Sequence, residues 1–101
     1  MNTRFEVGFP GDSVENRFNK YLDNLDAKTL QQIKVKVDAL ADVPRPPGKS
    51  FRVLHPPVAV YGYVAQYRLR IGNHRILYDV DDANKRVVLL AIRRRSESTY
   101  E

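Results

Sequence analysis

YRLRIGNHRILYD, Tyr67 to Asp79, consists of two alternating runs either side of Gly72-Asn73. A two-residue Gly-Asn connection predicts a tight β-hairpin, and the loop length fixes its register. Ile71 then stands opposite His74, Arg70 opposite Arg75, Leu69 opposite Ile76, Arg68 opposite Leu77 and Tyr67 opposite Tyr78. Side chains alternate faces along a strand. Tyr67, Leu69, Ile71, Ile76 and Tyr78 therefore share one apolar face, with His74 beside them, and Arg68, Arg70 and Arg75 share the other. Like charges directly opposite destabilise a sheet, so folding alone would not choose Arg70 against Arg75. The pattern points to an anionic ligand. The plainer alternative is a solvated outer face whose arginines pair with Asp79 or with acidic residues elsewhere.

An apolar hairpin face needs a cover, and the preceding chain supplies two helices. Val14, Phe18, Tyr21, Leu22 and Leu25 recur at helical spacing, with Asp12 or Ser13 as cap and Glu15 as a capping-box partner. Asp26 caps a second helix whose stripe is Leu30, Ile33, Val37, Leu40 and Ala41, ending before Pro44. Phe5 to Phe9 reads as a short first strand stopped by Pro10-Gly11. PRPPG, Pro44 to Gly48, cannot continue a helix and crosses to the sheet. Phe51 to Leu54 reads as a short strand, which His55-Pro56-Pro57 interrupts. Val58 to Ile71 is one long strand, or two with a kink at Gly62. The last strand, from Lys85 or Arg86 to Ile92, follows an acidic turn and is almost wholly apolar, as a central strand covered on both sides would be. The expected fold is α+β: an N-terminal strand and a helical hairpin on one face of a mainly antiparallel four-stranded sheet, residues 1–101 forming one domain. The opposite face is then free and carries the arginines.

Length and composition agree with one small globular domain. The chain has 101 residues, 43% hydrophobic and 29% charged, with no cysteine, which excludes a disulfide scaffold and a thiolate nucleophile. No run approaches the ~20 apolar residues of a membrane span, and the N-terminus lacks a signal-peptide core. A cytoplasmic protein is expected. No metal or other cofactor is expected, because no His, Asp or Glu cluster has ligand spacing. The net charge of +5 is unevenly placed: from Val43 to Tyr78 there is no carboxylate, while Arg45, Lys49, Arg52, Arg68, Arg70 and Arg75 all fall there. A one-sided basic surface is the footprint of a protein that meets nucleic acid. The tail, RRRSESTYE from Arg93 to Glu101, adds three consecutive arginines and a late tyrosine at the rim of the same sheet.

From Tyr67 to Tyr100 these elements resemble the C-terminal half of the RelE/ParE superfamily of bacterial toxins: Tyr-Arg-Leu-Arg, Gly-x-x-Arg, Ile-Leu-Tyr-Asp-Val, an acidic turn, an apolar strand ending Ala-Ile, an arginine cluster and a late tyrosine. The helical hairpin and Pro/Gly connection fit the family layout, although Val58 to Gln66 is longer than its usual connection. The resemblance implies the toxin of a type II toxin–antitoxin pair, with an acidic antitoxin as partner in a hetero-oligomer. The RelE branch cleaves messenger RNA in the ribosomal A site, and the ParE branch poisons DNA gyrase. The RelE pattern implies site roles for Arg68, Arg70, Arg75, Tyr100 and either Arg94 or Arg95, with Lys49, Arg52 and Arg93 as further RNA contacts. Where some relatives offer a strand lysine as base, this chain has Arg68 and Arg70, and guanidinium is a poor base. A toxin relic that binds RNA without cutting it is a further alternative.

Overall fold

The computed structural model describes residues 4–94. Along the chain run β1 (Glu6–Gly8), α1 (Asp12–Leu22), α2 (Ala27–Ala39), β2 (Phe51–Val60), β3 (Tyr63–Ile71), β4 (His74–Asp81) and β5 (Arg86–Arg94). The strands form one sheet in the order β1-β5-β4-β3-β2. All neighbours are antiparallel except β1, which lies parallel to β5. The architecture is the α+β layering expected, with five strands rather than four, because the N-terminal strand pairs with β5 and joins the sheet.

The apolar stripes of the helices cover one sheet face. Val14 and Phe18 of α1 and Ile33 of α2 are buried, as is Leu40 just beyond α2. Phe18, Ile33 and Leu40 pack on Leu69, Ile71, Ile76, Tyr78, Val87, Leu89 and Ile92, so the face read from the hairpin alone is the main core. The Asp26 carboxylate accepts from the Thr29 amide at 3.3 Å and caps α2 as expected. In α1 neither Asp12 nor Ser13 is the cap: extended Gly11 takes that position with no side-chain bond, and Asp12 and Glu15 lie in the first turn, where carboxylates favour the helix dipole.

Two features differ from the sequence reading. Val58 to Ile71 is a hairpin reversing at Tyr61-Gly62, whose φ values of 51° and 85° are both left-handed, as the tight turn matching strand twist requires. A bulky residue in that region is strained, and Arg17 of α1 lies over the Tyr61 ring, 4.2 Å from its centroid. His55-Pro56-Pro57 does not end β2: the strand runs through with a register shift between Val53 and Val58. β2 is an edge strand, where proline's missing donor is tolerated.

The second sheet face is not free. Leu54, Val60, Ala65, Leu77, Leu90 and Ala91 form a separate buried cluster. A bulge in β5 helps build it: Leu77 pairs with Ala91 and Tyr78 with Leu89, so Leu90 is the extra residue. β5 thus contributes to both clusters, the doubly covered central strand that its apolar sequence predicted. The connection closes on the same frame. Tyr78 donates its hydroxyl hydrogen to the Pro44 carbonyl at 2.7 Å, and Arg45 grips Asp82 through two bonds of 3.1 and 2.7 Å and donates to the Tyr67 hydroxyl at 3.0 Å.

Candidate nucleic-acid interface

The β3–β4 register is the one the Gly-Asn turn dictated, residue for residue, from Tyr67↔Tyr78 to Ile71↔His74. Arg75 is also opposite Arg93 of β5. Arg70, Arg75 and Arg93 therefore form a transverse row across three neighbouring strands, with backbones about 5 Å apart. One step along the strands lies a second row, Arg52↔Arg68↔Leu77↔Ala91. The nearest acidic residue along β4 on this face is Asp79, four residues from Arg75, or about 13 Å at the rise of a strand.

Exposure grades across this grid. Arg52 is exposed, Arg70 and Arg93 are half-buried, and Arg68 and Arg75 retain only 5% and 3% of their surface. The expectation that the arginine face is free is corrected here. The apolar cluster on the same side encloses the stems of the inner arginines, and long basic side chains pack their methylenes against such surface. Guanidinium groups set side by side on one face concentrate positive potential there.

The other sequence-predicted residues separate. Lys49 is exposed, in the turn before β2 and outside both rows. Arg94 stands opposite His74, so alternation turns it to the helix side, away from Arg75. Arg95 and Tyr100 lie outside the described residues. Arg93, rather than Arg94, completes the row. That signal was present in the sequence as the β4–β5 turn, but one bulged residue decides the register and the apolar run gives no sign of it.

His74 is structural. Its Nδ1 lies 2.7 Å from the Tyr21 hydroxyl, and the two rings meet edge to face at 5.6 Å. Burial, with Arg94 adding to it, holds its pKa below the usual imidazole value, against a weaker opposing pull from Asp26. His55 is exposed at the β2 irregularity. Among the described residues no group of three or more His, Asp or Glu side chains could hold a metal, and no helix is long and apolar enough to cross a membrane.

A family model described as the ParE toxin of the type II toxin–antitoxin system parDE matches residues 12–99. The chain belongs to this family, within the RelE/ParE superfamily. It is similar to the archaeal RelE–RelB complex from Pyrococcus horikoshii OT3, at 22% identity and a TM-score of 0.66, covering 97% of this chain and 100% of that one. It is also similar to the RelBE2 toxin–antitoxin complex of Mycobacterium tuberculosis, at 23% identity and a TM-score of 0.54 over 91% and 99% of the two chains. A free double arginine-to-alanine mutant of the E. coli toxin RelE shares 16% identity at a TM-score of 0.53, over 93% and 85%. No curated protein matches the sequence.

Proposed function

We propose that this toxin is a metal-independent endoribonuclease that cleaves messenger RNA in the ribosomal A site and so inhibits translation in the cytoplasm. The row of Arg70, Arg75 and Arg93 beside Arg68 and Arg52 carries the reading. RNA can be cut by its own 2′-hydroxyl: the oxygen attacks the adjacent phosphorus, the bond to the 5′-oxygen breaks, and a 2′,3′-cyclic phosphate and a free 5′-hydroxyl result. The protein must orient the strand and stabilise a phosphorane whose charge rises in the transition state. Guanidinium binds phosphate oxygens bidentately and stays charged, and preorganised charge is usually the largest catalytic term. In this reading Arg75, central and buried, holds the scissile phosphate with Arg93, and Arg70, Arg68 and Arg52 bind flanking phosphates. Lys49 adds a peripheral contact. Tyr100 and Arg95 keep the roles the resemblance implies, a base or 2′-hydroxyl contact and a further cation. Arg94, on the helix side, does not contact the scissile phosphate. No side chain of the arginine grid is a good base at neutral pH, so the ribosome or Tyr100 takes up the 2′-proton.

The cognate partner is an acidic antitoxin that forms a hetero-oligomer with the toxin and covers the arginine face. The match to a ParE family model favours a second reading, a non-catalytic inhibitor of DNA gyrase. Primer extension on messenger RNA in a purified translation system tests both. Cuts confined to ribosome-bound RNA support the proposal; intact RNA with loss of supercoiling by gyrase supports the second reading.

A further inference from the structure

The edge strand β2 does not run straight past β3. Between the pairs Val53↔Tyr67 and Val58↔Ala65, residues 54–57 stand against Gln66 alone, so the chain leaves the ladder and returns. The excursion encloses a cavity of about 500 Å³ walled by residues 52–58. Leu54 belongs to the buried cluster with Leu77, which gives the cavity an apolar wall joined to the core, while Arg52, His55, Pro56 and Pro57 are exposed around it. Among the described residues no carboxylate lines it. Two adjacent prolines fix two φ angles, so the wall holds its shape before any ligand arrives. Bulges gather beside functional sites, and blunting a free edge needs only a proline or a charge, not a cavity. Arg52 is directly opposite Arg68, two strands across and two residues along from Arg75, or about 12 Å between backbones at ordinary strand spacing and rise.

We propose that this cavity is a nucleobase subsite: one unpaired base beside the scissile phosphate enters it against His55 and adds base selection to the phosphate contacts of the arginine rows. The inference rests on the RNA-cleaving function proposed above and names His55 as a specificity-determining residue for it. Charge and ring chemistry select the occupant. Unpaired bases are held by stacking on aromatic rings, histidine included, or on arginine planes, and the cavity offers the His55 imidazole and the Arg52 guanidinium among apolar walls. A nucleotide whose phosphate sits on Arg52 has its base at the cavity mouth, so one residue serves both contacts. An extended peptide is a poor occupant, because the ladder is broken over residues 54–57 and Pro56 and Pro57 have no N–H to offer an added strand. A second copy of the chain brings net charge of +5 to a wall that holds a cation and no described carboxylate.

The test uses the full chain and purified ribosomes programmed with messenger RNA made uncleavable by 2′-O-methyl groups at the A-site codon. Bases in and around that codon are removed one at a time, leaving abasic sugars, and binding is read by fluorescence anisotropy of the labelled toxin. For the wild type, one abasic position should weaken binding about tenfold, the loss of a stacked base. His55→Ala should weaken binding to intact RNA by a similar factor and make that position indifferent, a coupling that independent contacts do not show. His55→Phe keeps a ring and should restore both the affinity and the sensitivity. Arg52→Gln removes a phosphate contact and should lower the salt slope by about one, whereas His55→Ala leaves the slope unchanged. A wild type with equal affinity for every abasic RNA overturns the inference even if no variant folds. So does a His55→Ala protein that remains as sensitive as the wild type to the same position, or a self-association of the chain that His55→Ala abolishes. A wild type that neither binds programmed ribosomes nor cuts their messenger removes the parent reading instead, an outcome distinguishable because it involves neither variants nor abasic sites.

Discussion

Replacing Arg75 by methionine should sharply reduce RNA cleavage and leave the fold intact. Arg75 stands between Arg70 and Arg93 in register with 3% of its surface exposed. Methionine keeps a long apolar stem beside Leu77, whereas alanine would leave a void, so thermal unfolding followed by circular dichroism should still show one cooperative transition. A guanidinium–phosphate bond contributes about 1.5–3 kcal/mol, so primer-extension cleavage should fall at least about tenfold from this contact alone. A methionine variant that no longer unfolds cooperatively, or one that still cuts RNA at the wild-type rate, refutes the reasoning: the first makes Arg75 a structural anchor, the second removes it from the site.

Other consequences are equally open to measurement. Arg93→Gln should impair cleavage severely and Arg94→Gln only slightly in the same assay, because only Arg93 shares the face of Arg75; equal losses would contradict the assignment. Tyr78→Phe removes the donor to the carbonyl of half-buried Pro44 and should cost about 0.5–1.5 kcal/mol in urea denaturation, and Arg45→Ala, at a largely solvated bridge, should cost no more than about 1 kcal/mol. His74 has a folded pKa below its unfolded value, so its contribution is complete above the unfolded value, about 6.5, and is lost as pH falls through the folded value, where a charged ring must be held in a buried site near Arg94. The Tm should therefore decline as pH drops from neutral toward 5, and His74→Phe should flatten that decline; an unchanged slope would assign it to other groups. RNA or ribosome binding should weaken steeply with salt because several phosphates are neutralised, and salt-independent affinity would point to a protein target.

Much of the fold is local information. The Gly72-Asn73 turn fixed five cross-strand pairs, the helical stripes identified the covering layer, and the unbroken apolar run of β5 marked a central strand. The chemistry of the site was legible to the same degree: the sequence alone places Arg70 against Arg75 and Arg68 on their face, since pleat and turn length leave no other arrangement. What it did not determine depends on contacts distant along the chain. A reversal at Tyr61-Gly62 looks like a kink in a long strand until Val60 and Ala65 find Leu77 and Leu90, and the pairing of β1 with β5 links residues about eighty positions apart. The bulge at Leu90 is invisible in a run of apolar residues, yet it brings Arg93 rather than Ile92 opposite Arg75, and so puts Arg93 and not Arg94 on the arginine face. Only the tertiary structure showed that the arginine face is half enclosed, because burial on a sheet's second side is decided by what the rest of the chain lays across it.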